Sequence, residues 1–553
     1  MEKTMVKAGR VFPITVLVCS TLITCVNSFA QDTQRSARPA RTPVSNPAQP
    51  EQDTTKVPVD VSGASAQNIQ RIIEKLVSFG NRSTLSAQDD DAIAKGQGIG
   101  AAREWLKSEF ETISKDCGGC LEVKTDEFIN PVASRIPQPT KLVNVYAVLR
   151  GTDPENAKRI YLVSGHYDSR NSVNENITDP APGANDDASG TAVSLESARL
   201  LSKFKFPATI IFLTVPGEEQ GLNGSKHFAQ MAKEKGWDIE GVLNNDIVGG
   251  DMSPGQNPNV VRVFSEGIPT IDVPPNPPAP TANQGGGEGG GARTERPARQ
   301  PAVTPPPATG CALPPPNPAM TPGATPAAAP SATPPTQPTD VELRRMYTDL
   351  RNIRSIGLEN DSPSRQLARF VADVARSLGN PTVQPLLVYR QDRYLRGGDH
   401  TSFNESGFAA VRFTEYRENF DHQHQTPRSE NGTECGDYLK FVDFNYVARV
   451  AKLNAAVLAS LATAPAPPAR VRMNTRRLDN DSEITWDPSP GGLATDYEVV
   501  WRTTDSPNWT NAEKTDGKTT LVLQVSKDNV IFGVRAVDAK GNRSVPVVPS
   551  AQR

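Results

Sequence analysis

The chain carries almost no surplus charge: 62 acidic residues against 59 basic leave a formal net charge of −3. A nucleic-acid partner is therefore not expected, because such binders show a basic excess or a basic stripe. Past residue 26 there is no long apolar run. A bilayer-spanning helix needs ~20 apolar residues, so no stable membrane span is expected. Cysteines are few, and only Cys117, Cys120, Cys311 and Cys435 follow the N-terminal segment. Cys117 and Cys120 have metal-motif spacing, but no second pair or nearby histidine completes a zinc site; a local disulfide across Gly118-Gly119 is preferred. Histidine is scarce too, with five in all, so each imidazole deserves scrutiny as a chemical group.

Proline is the opposite case. Of 49 prolines, 21 lie between Pro269 and Pro338, which excludes a packed core there. At roughly 100–200 residues per domain, the remaining length predicts two or three units. Lys3, Lys7 and Arg10 precede an apolar run from Val11 to Val26, and Asn27-Ser28-Phe29-Ala30 offers small residues beyond it. This reads as a secretory signal peptide over 1–30, cleaved near Ala30, with a secreted or periplasmic mature chain. A flexible tail over 31–60 is expected next. A catalytic domain follows over 61–463, interrupted by a disordered insertion over 269–340. A linker over 464–469 leads to a small all-β domain over 470–548.

Within the catalytic domain, apolar spacing predicts helices from about Ser65, over Gly100–Ser114, Ser189–Phe204, Ser225–Lys235, Val341–Ile353, Ser364–Leu378 and Phe441–Leu461. Apolar runs predict strands at Val143–Leu149, Arg159–Ser164, Thr209–Val215, Gly241–Leu243 and Ala409–Phe413. The fold class is α/β: a mostly parallel mixed sheet flanked by helices. The final segment alternates at period two, with Tyr497, Val499 and Trp501 on one face and Phe532, Val534 and Ala536 on another. It resembles a fibronectin type III sandwich.

Three predicted strands end in groups able to bind a cation: His166-Tyr167-Asp168, Glu218-Glu219 and Asn245-Asp246. Ligands of open α/β sheets bind outside the carboxyl ends of strands, so these outcrops are expected to be neighbours. Asn185-Asp186-Asp187-Ala188-Ser189-Gly190 lies between them, ahead of a helix. Downstream stand His400, His422 and His424. Each piece alone has an ordinary reading: a helix cap, a solvated turn, a surface ion pair. Their convergence on one sheet edge favours a metal centre. Neutral imidazoles and carboxylates are zinc donors. Two zinc ions bring +4, Asp186, Asp246 and Glu219 bring −3, and a hydroxide closes the balance and serves as nucleophile. Adjacent side chains at a strand end diverge. One glutamate can thus bind metal while the other faces the attacking water. Asp168, two residues after His166, is placed to hold that imidazole's second nitrogen.

These residues resemble metallopeptidase family 28, the di-zinc aminopeptidases of bacterial leucyl aminopeptidase type. Ser78-Phe79-Gly80-Asn81-Arg82 and Gly98-Ile99-Gly100-Ala101-Ala102 resemble the family's opening helices. The resemblance implies a zinc-exopeptidase fold and two Zn²⁺. His166 and Asp246 would bind one ion, Glu219 and a late histidine the other. Asp186 would bridge, beside a cis peptide to Asp187. Glu218 would be the general base and acid, and Asp168 the orienting group. The late histidine is assigned to His424, with His422 and His400 as alternatives. Gln423 stands where the family's oxyanion-steadying tyrosine would be, and Tyr416 or His400 could serve instead. His227 is expected to be structural or exposed.

The implied function is a secreted exopeptidase acting on peptide or protein N-termini. Rivals are a glutaminyl cyclase-like, carboxypeptidase or dipeptidase activity on the same fold, or a metal-free binding protein. The C-terminal domain is expected to bind a surface or polymer, or to pack on the catalytic unit.

Overall fold

A computed structural model describes residues 55–268, 310–311, 350–379, 382–394 and 396–552. The signal-peptide reading, most of the tail reading and nearly all of the proline-rich insertion fall outside the described residues.

One eight-stranded sheet organises the larger unit. Its strands are β1 (Leu121–Asn130), β2 (Thr140–Leu149), β3 (Arg159–His166), β4 (Thr209–Val215), β5 (Asp238–Asn245), β6 (Val260–Ser265), β7 (Gln384–Val388) and β8 (Ala410–Glu415). Their order is β1-β2-β4-β3-β5-β8-β6-β7. The central β4, β3, β5 and β8 run parallel. β1 and β2 join antiparallel at one edge, and β6 runs antiparallel to β8. The expected mixed α/β sheet is what forms. β3 and β4 are buried along their whole length, as unbroken apolar runs covered on both faces should be.

Helices cover the two faces separately. The β3–β4 connection, helix Ala188–Leu201, packs with Ala66–Val77, Gly98–Asp116, Pro363–Leu378 and Phe444–Thr463 over one face, where Ile69, Leu106, Val193, Val371 and Val450 share a core. The β4–β5 connection, helix Asn223–Glu234, packs on the other face, where Phe228 and Phe403 meet Leu162 and Leu213. β4 and β5 therefore leave β3 on opposite sides with their helices on opposite faces. That reversal opens a crevice at the strands' carboxyl ends.

One expectation needs correction. Residues 55–60 are not a loose tail. Thr55 is buried, its carbonyl accepts a hydrogen bond from the Ser377 hydroxyl, and Val57 and Val59 lie against the core. The period-two spacing of Val57, Val59 and Val61 is the reason. Strands β1, β6 and β7 were not anticipated. β1 is an edge strand whose polar residues, Glu122, Lys124 and Asp126 among them, hide its pattern. Of the helix expected over 341–353, residues 350–355 are helical and the rest lies outside the described residues. Cys117 and Cys120 form the expected local disulfide, and Cys311 is bonded to Cys435.

Two further strands, β9 (Arg428–Glu430) and β10 (Thr433–Cys435), make a small hairpin. The C-terminal unit has β11 (Ala469–Asn474), β12 (Ser482–Asp487), β13 (Ala494–Thr503), β14 (Asn511–Lys514), β15 (Thr520–Leu523), β16 (Val530–Asp538) and β17 (Ser550–Gln552). They form sheets of order β15-β12-β11-β17 and β14-β13-β16. Trp486, Tyr497, Val499, Phe532 and Val534 fill the core between them. This unit is docked on the catalytic unit. Arg502 Nη2 lies 2.8 Å from both oxygens of buried Asp361, and Asn156 Nδ2 donates to the Gly491 carbonyl at 3.0 Å. No helix of the described residues is long and apolar enough to cross a membrane.

Candidate metal centre

The crevice is built from the ends of β3, β4 and β5. His166 is the last residue of β3, Glu218 and Glu219 follow β4, and Asp246 follows β5. Asp186 arrives from the loop ahead of helix Ala188–Leu201, joined to Asp187 by a cis peptide. The helix-cap reading is realised by Asp187, not Asp186: its carboxylate accepts from Gly190 N, His166 N and Ile247 N. Glycines let these pieces close up. A Cβ on Gly190 would stand 2.2 Å from the Asn245 carbonyl oxygen, and one on Gly165 would stand 2.3 Å from the carbonyl carbon of Gly190.

Two donor groups result, sharing Asp186. In each, one ligand-type atom per residue lies within 4.8 Å of the others. The first joins His166, Asp186 and Asp246: His166 Nε2 is 3.1 Å from Asp186 Oδ1 and 4.0 Å from Asp246 Oδ1. The second joins Asp186, Glu219 and His424: His424 Nε2 is 2.8 Å from Asp186 Oδ2 and 3.0 Å from Glu219 Oε1. Donors held ~2 Å from one zinc stand roughly 3–3.5 Å apart, so this spacing suits a cation. Two atoms strengthen the fit. His166 Nε2 and Glu219 Oε1 are buried without a hydrogen-bond partner, a costly arrangement unless something fills the gap.

Asp168 ties the centre together. Its Oδ1 lies 3.3 Å from His166 Nδ1, which leaves Nε2 facing the centre. Its oxygens also accept from the backbone N–H groups of Glu218 and Glu219 and from Thr84 Oγ1. Arg82, fully buried, donates to the carbonyls of Leu76, Tyr167, Pro182 and Gly183. It thereby clamps the end of the first helix to the loop that delivers Asp186.

The electrostatics follow from crowding carboxylates in a dry crevice. Burial pushes the Glu218 carboxyl well above the ordinary range, reinforced by Asp246, Glu219 and Asp399. Burial opposes ionisation of Asp186 as well, but His424 and His166 outweigh it and hold that carboxyl well below its usual value. Burial raises Asp399 to about 7. Burial disfavours the His424 cation, yet Glu219 and Asp186 win and raise it to about 9. Such perturbed groups cluster at functional sites.

The late histidines separate cleanly. His424 alone among them belongs to a donor group. His422 pairs through Nδ1 with Asp251 and stacks on Phe441, ring centroids 3.6 Å apart. His400 is fully buried, with Nε2 2.8 Å from the Gln391 carbonyl. Tyr416 is 41% exposed beyond β8 and makes no hydrogen bond to either group among the described residues. Neither His400 nor Tyr416 is thus drawn to the donors: the first faces a carbonyl, the second solvent. Gln423 does reach them, donating from Nε2 to Asp186 Oδ2 at 3.1 Å. His227 stacks on Phe128 and lies 3.3 Å from Asp126, away from the centre.

Sequence reasoning missed several supports. Arg412, fully buried on β8, bridges Asp246 and Asp392. A lone charge inside the apolar run Ala409–Phe413 was the available signal. Asp437 accepts from the backbone N–H groups of Asn185 and Asp186, at 2.9 and 2.7 Å. Nothing local in the sequence marked it.

The solved structure of Legionella pneumophila LapA aminopeptidase superposes with a TM-score of 0.41 at 18% identity, over 73% of each chain. The model for peptidase family M28 matches residues 144–257, the segment holding His166, Asp186, Glu218, Glu219 and Asp246. A probable zinc metalloprotease of Leptosphaeria maculans is 40% identical over 492 residues, 88% of this chain and 95% of its own. A probable zinc metalloprotease of Pyricularia oryzae is 40% identical over 491 residues, 87% of this chain and 82% of its own. Identity of that order across nearly the whole length of both partners has one consequence: the chain belongs to peptidase family M28.

Proposed function

We propose that this protein is a secreted di-zinc aminopeptidase that hydrolyses the peptide bond after a free N-terminal residue. The observation that carries the proposal is the sharing of Asp186 between two donor groups while Glu218 stands outside both. His166, Asp246 and one oxygen of Asp186 would hold one zinc; Glu219, His424 and the other oxygen would hold the second. Bound there, the two ions would supply Lewis-acid polarisation of the scissile carbonyl and acidification of the attacking water.

The chain's own groups do the rest. Glu218 takes a proton from the attacking water at its carboxylate and returns it to the leaving amine. Asp168 fixes the His166 ring and, through two backbone N–H groups, the Glu218-Glu219 corner. The carboxylates around the centre suit a free ammonium. Two disulfides support export into an oxidising compartment after cleavage near Ala30. Sheets of four and three strands support the fibronectin type III-like reading of the C-terminal unit.

The test is amino-acid release from a panel of aminoacyl-anilides, with and without chelator, alongside zinc content. About two zincs per chain and activity restored by zinc after chelation are expected. One zinc with cyclisation of N-terminal glutamine would replace the proposal with a glutaminyl cyclase. N-terminal sequencing of the exported chain should begin near Gln31.

A further inference from the structure

Gln423 brings a hydrogen-bonding group to the donors that the proposed chemistry leaves unused. Its backbone is fixed in a turn. Gln423 N and His422 N both donate to the Asn419 carbonyl, at 3.0 and 3.2 Å, and Asn419 Nδ2 is anchored to Ser253 Oγ at 2.7 Å. The left-handed backbone of His424 follows directly. Two consecutive side chains consequently reach one carboxylate oxygen. His424 Nε2 lies 2.8 Å and Gln423 Nε2 3.1 Å from Asp186 Oδ2.

That contact fixes which way the amide faces. Turned over, the Gln423 carbonyl oxygen would stand against Asp186 Oδ2, acceptor against acceptor; as placed, the amide nitrogen donates. The other end, Oε1, is buried and has no hydrogen-bond partner, in a side chain that is only 7% exposed. An amide oxygen left dry and unpaired is costly, so such an atom calls for a partner that completes it. The partner must be a donor, because an amide oxygen only accepts.

The surroundings narrow the choice of donor. Glu219 Oε1, 3.0 Å from His424 Nε2, is a second buried acceptor without a hydrogen bond. Zinc takes imidazole and carboxylate donors, so Asp186, Glu219 and His424 are engaged once a cation is bound, and Gln423 Oε1 stays open beside them. A peptide entering by its free N-terminus carries one group with several N–H donors and a charge, the α-ammonium. Hydrogen bonds from a charged donor are roughly twice as strong as neutral ones.

Resting on the peptidase reading above, we infer that Gln423 determines specificity for a free N-terminus: its Oε1 accepts a hydrogen bond from the substrate's α-ammonium while its Nε2 stays on Asp186. The free amine is thereby read by a side chain joined to the proposed bridging carboxylate.

Zinc-loaded, full-length wild type and Gln423→Met are compared on leucyl-anilide and on α-hydroxyisocaproyl-anilide, in which a hydroxyl replaces the amine. Methionine keeps the length of the side chain and removes both polar ends. The loss of kcat/KM on the amine substrate should exceed the loss on the hydroxy analogue by about tenfold or more, chiefly through KM. Zinc content is measured alongside, because Gln423 also touches Asp186. Equal losses on the two substrates overturn the inference and mark Gln423 as acting only through Asp186. No loss on either overturns it as well. Should Gln423→Met fail to fold, Gln423→Asn, which withdraws the amide by one methylene, is read in the same way. Calorimetric binding of isoamylamine against isoamyl alcohol is the readout free of turnover. Wild type should prefer the amine, and the variant should lose about tenfold of that preference. Should no substrate be cleaved, the peptidase reading falls and this comparison decides alone. An amine preference reduced in Gln423→Met then upholds the contact; a preference that the substitution leaves intact, or none in wild type, overturns it.

Discussion

Arg412 Nη2 lies 2.9 Å from Asp246 Oδ1, so a proposed zinc ligand is held by a fully buried cation. The other arm of the guanidinium reaches Asp392 at 3.0 Å. On β8, Arg412 is registered beside Asn244 of β5, two residues ahead of Asp246. The bridge therefore sets the angle at which Asp246 enters the crevice. Removing one member of such a buried network leaves an uncompensated charge, at about 3–5 kcal/mol. Arg412→Leu is expected to lower the unfolding free energy by that amount, read as a lower denaturant midpoint, in metal-free and zinc-loaded protein alike. An unchanged midpoint would mean the bridge carries no stability.

Glu218 should matter to turnover and not to metal. It belongs to neither donor group, so Glu218→Gln keeps the shape of the crevice and removes only the proton acceptor. A loss of roughly 10²–10⁴-fold in kcat is expected, with zinc content by mass spectrometry equal to wild type. Zinc lost together with activity would reassign Glu218 as a ligand.

Much of this centre was readable because its donors sit at fixed places relative to strands. An apolar run that ends abruptly in His166 or Glu218-Glu219 declares both the strand and the outcrop at its carboxyl end. Asn185–Gly190 was readable for a related reason: Gly190 is a position where packing forbids a Cβ. What escaped were partners joined only in space. Arg412 and Asp437 lie 166 and 251 residues from Asp246 and Asp186, the groups they contact. Edge strands β1 and β7 escaped because one exposed face replaces the apolar run with mixed polarity.

The choice among late histidines becomes a metal-counting experiment. His424 adopts φ +55°, a left-handed backbone rare outside glycine but less so for histidine, and it turns the ring toward Asp186 and Glu219. His424→Ala should cut zinc from about two to about one per chain. His422→Ala removes a partner of Asp251 instead, and should lower stability while leaving both ions. The reverse outcome would move the ligand to His422.

The same imidazole predicts a pH dependence with opposite signs for folding and for metal. In the metal-free protein His424 is raised to about 9 against an ordinary value near 6.5. Its charge therefore stabilises the fold fully below about pH 6.5, and that contribution is lost as pH rises through about 9. Zinc needs the neutral ring, so binding within this window expels a proton and apparent affinity climbs with pH. Unfolding of metal-free wild type and His424→Gln at pH 6 and 9.5 should diverge at the lower pH and converge at the higher. Calorimetry of zinc binding in buffers of different ionisation enthalpy counts the proton. A wild-type difference that grows with pH would sink the assignment.

The C-terminal unit should behave as part of the enzyme's stability rather than as a loosely tethered module. Asp361, just ahead of helix Pro363–Leu378, receives both Arg502 from β13 and Arg369 from that helix, and all three side chains are at most 3% exposed. Arg369 Nε also donates to the Pro507 carbonyl at 2.6 Å, and Trp509 Nε1 to Gln366 Oε1 at 3.2 Å. A buried charge shared by two guanidinium groups couples the unfolding of both units. Arg502→Met should leave Arg369 in place yet cost about 3 kcal/mol, since Asp361 loses two of its bonds in a desolvated position. Wild type should unfold in one transition, whereas the variant should split into two, with the β unit melting first. The metal centre lies at the carboxyl ends of β3, β4 and β5, and none of its donors touches this contact. Zinc content and kcat of the folded variant should therefore match wild type. A variant that still unfolds in one step at the same midpoint would show that the contact adds no coupling.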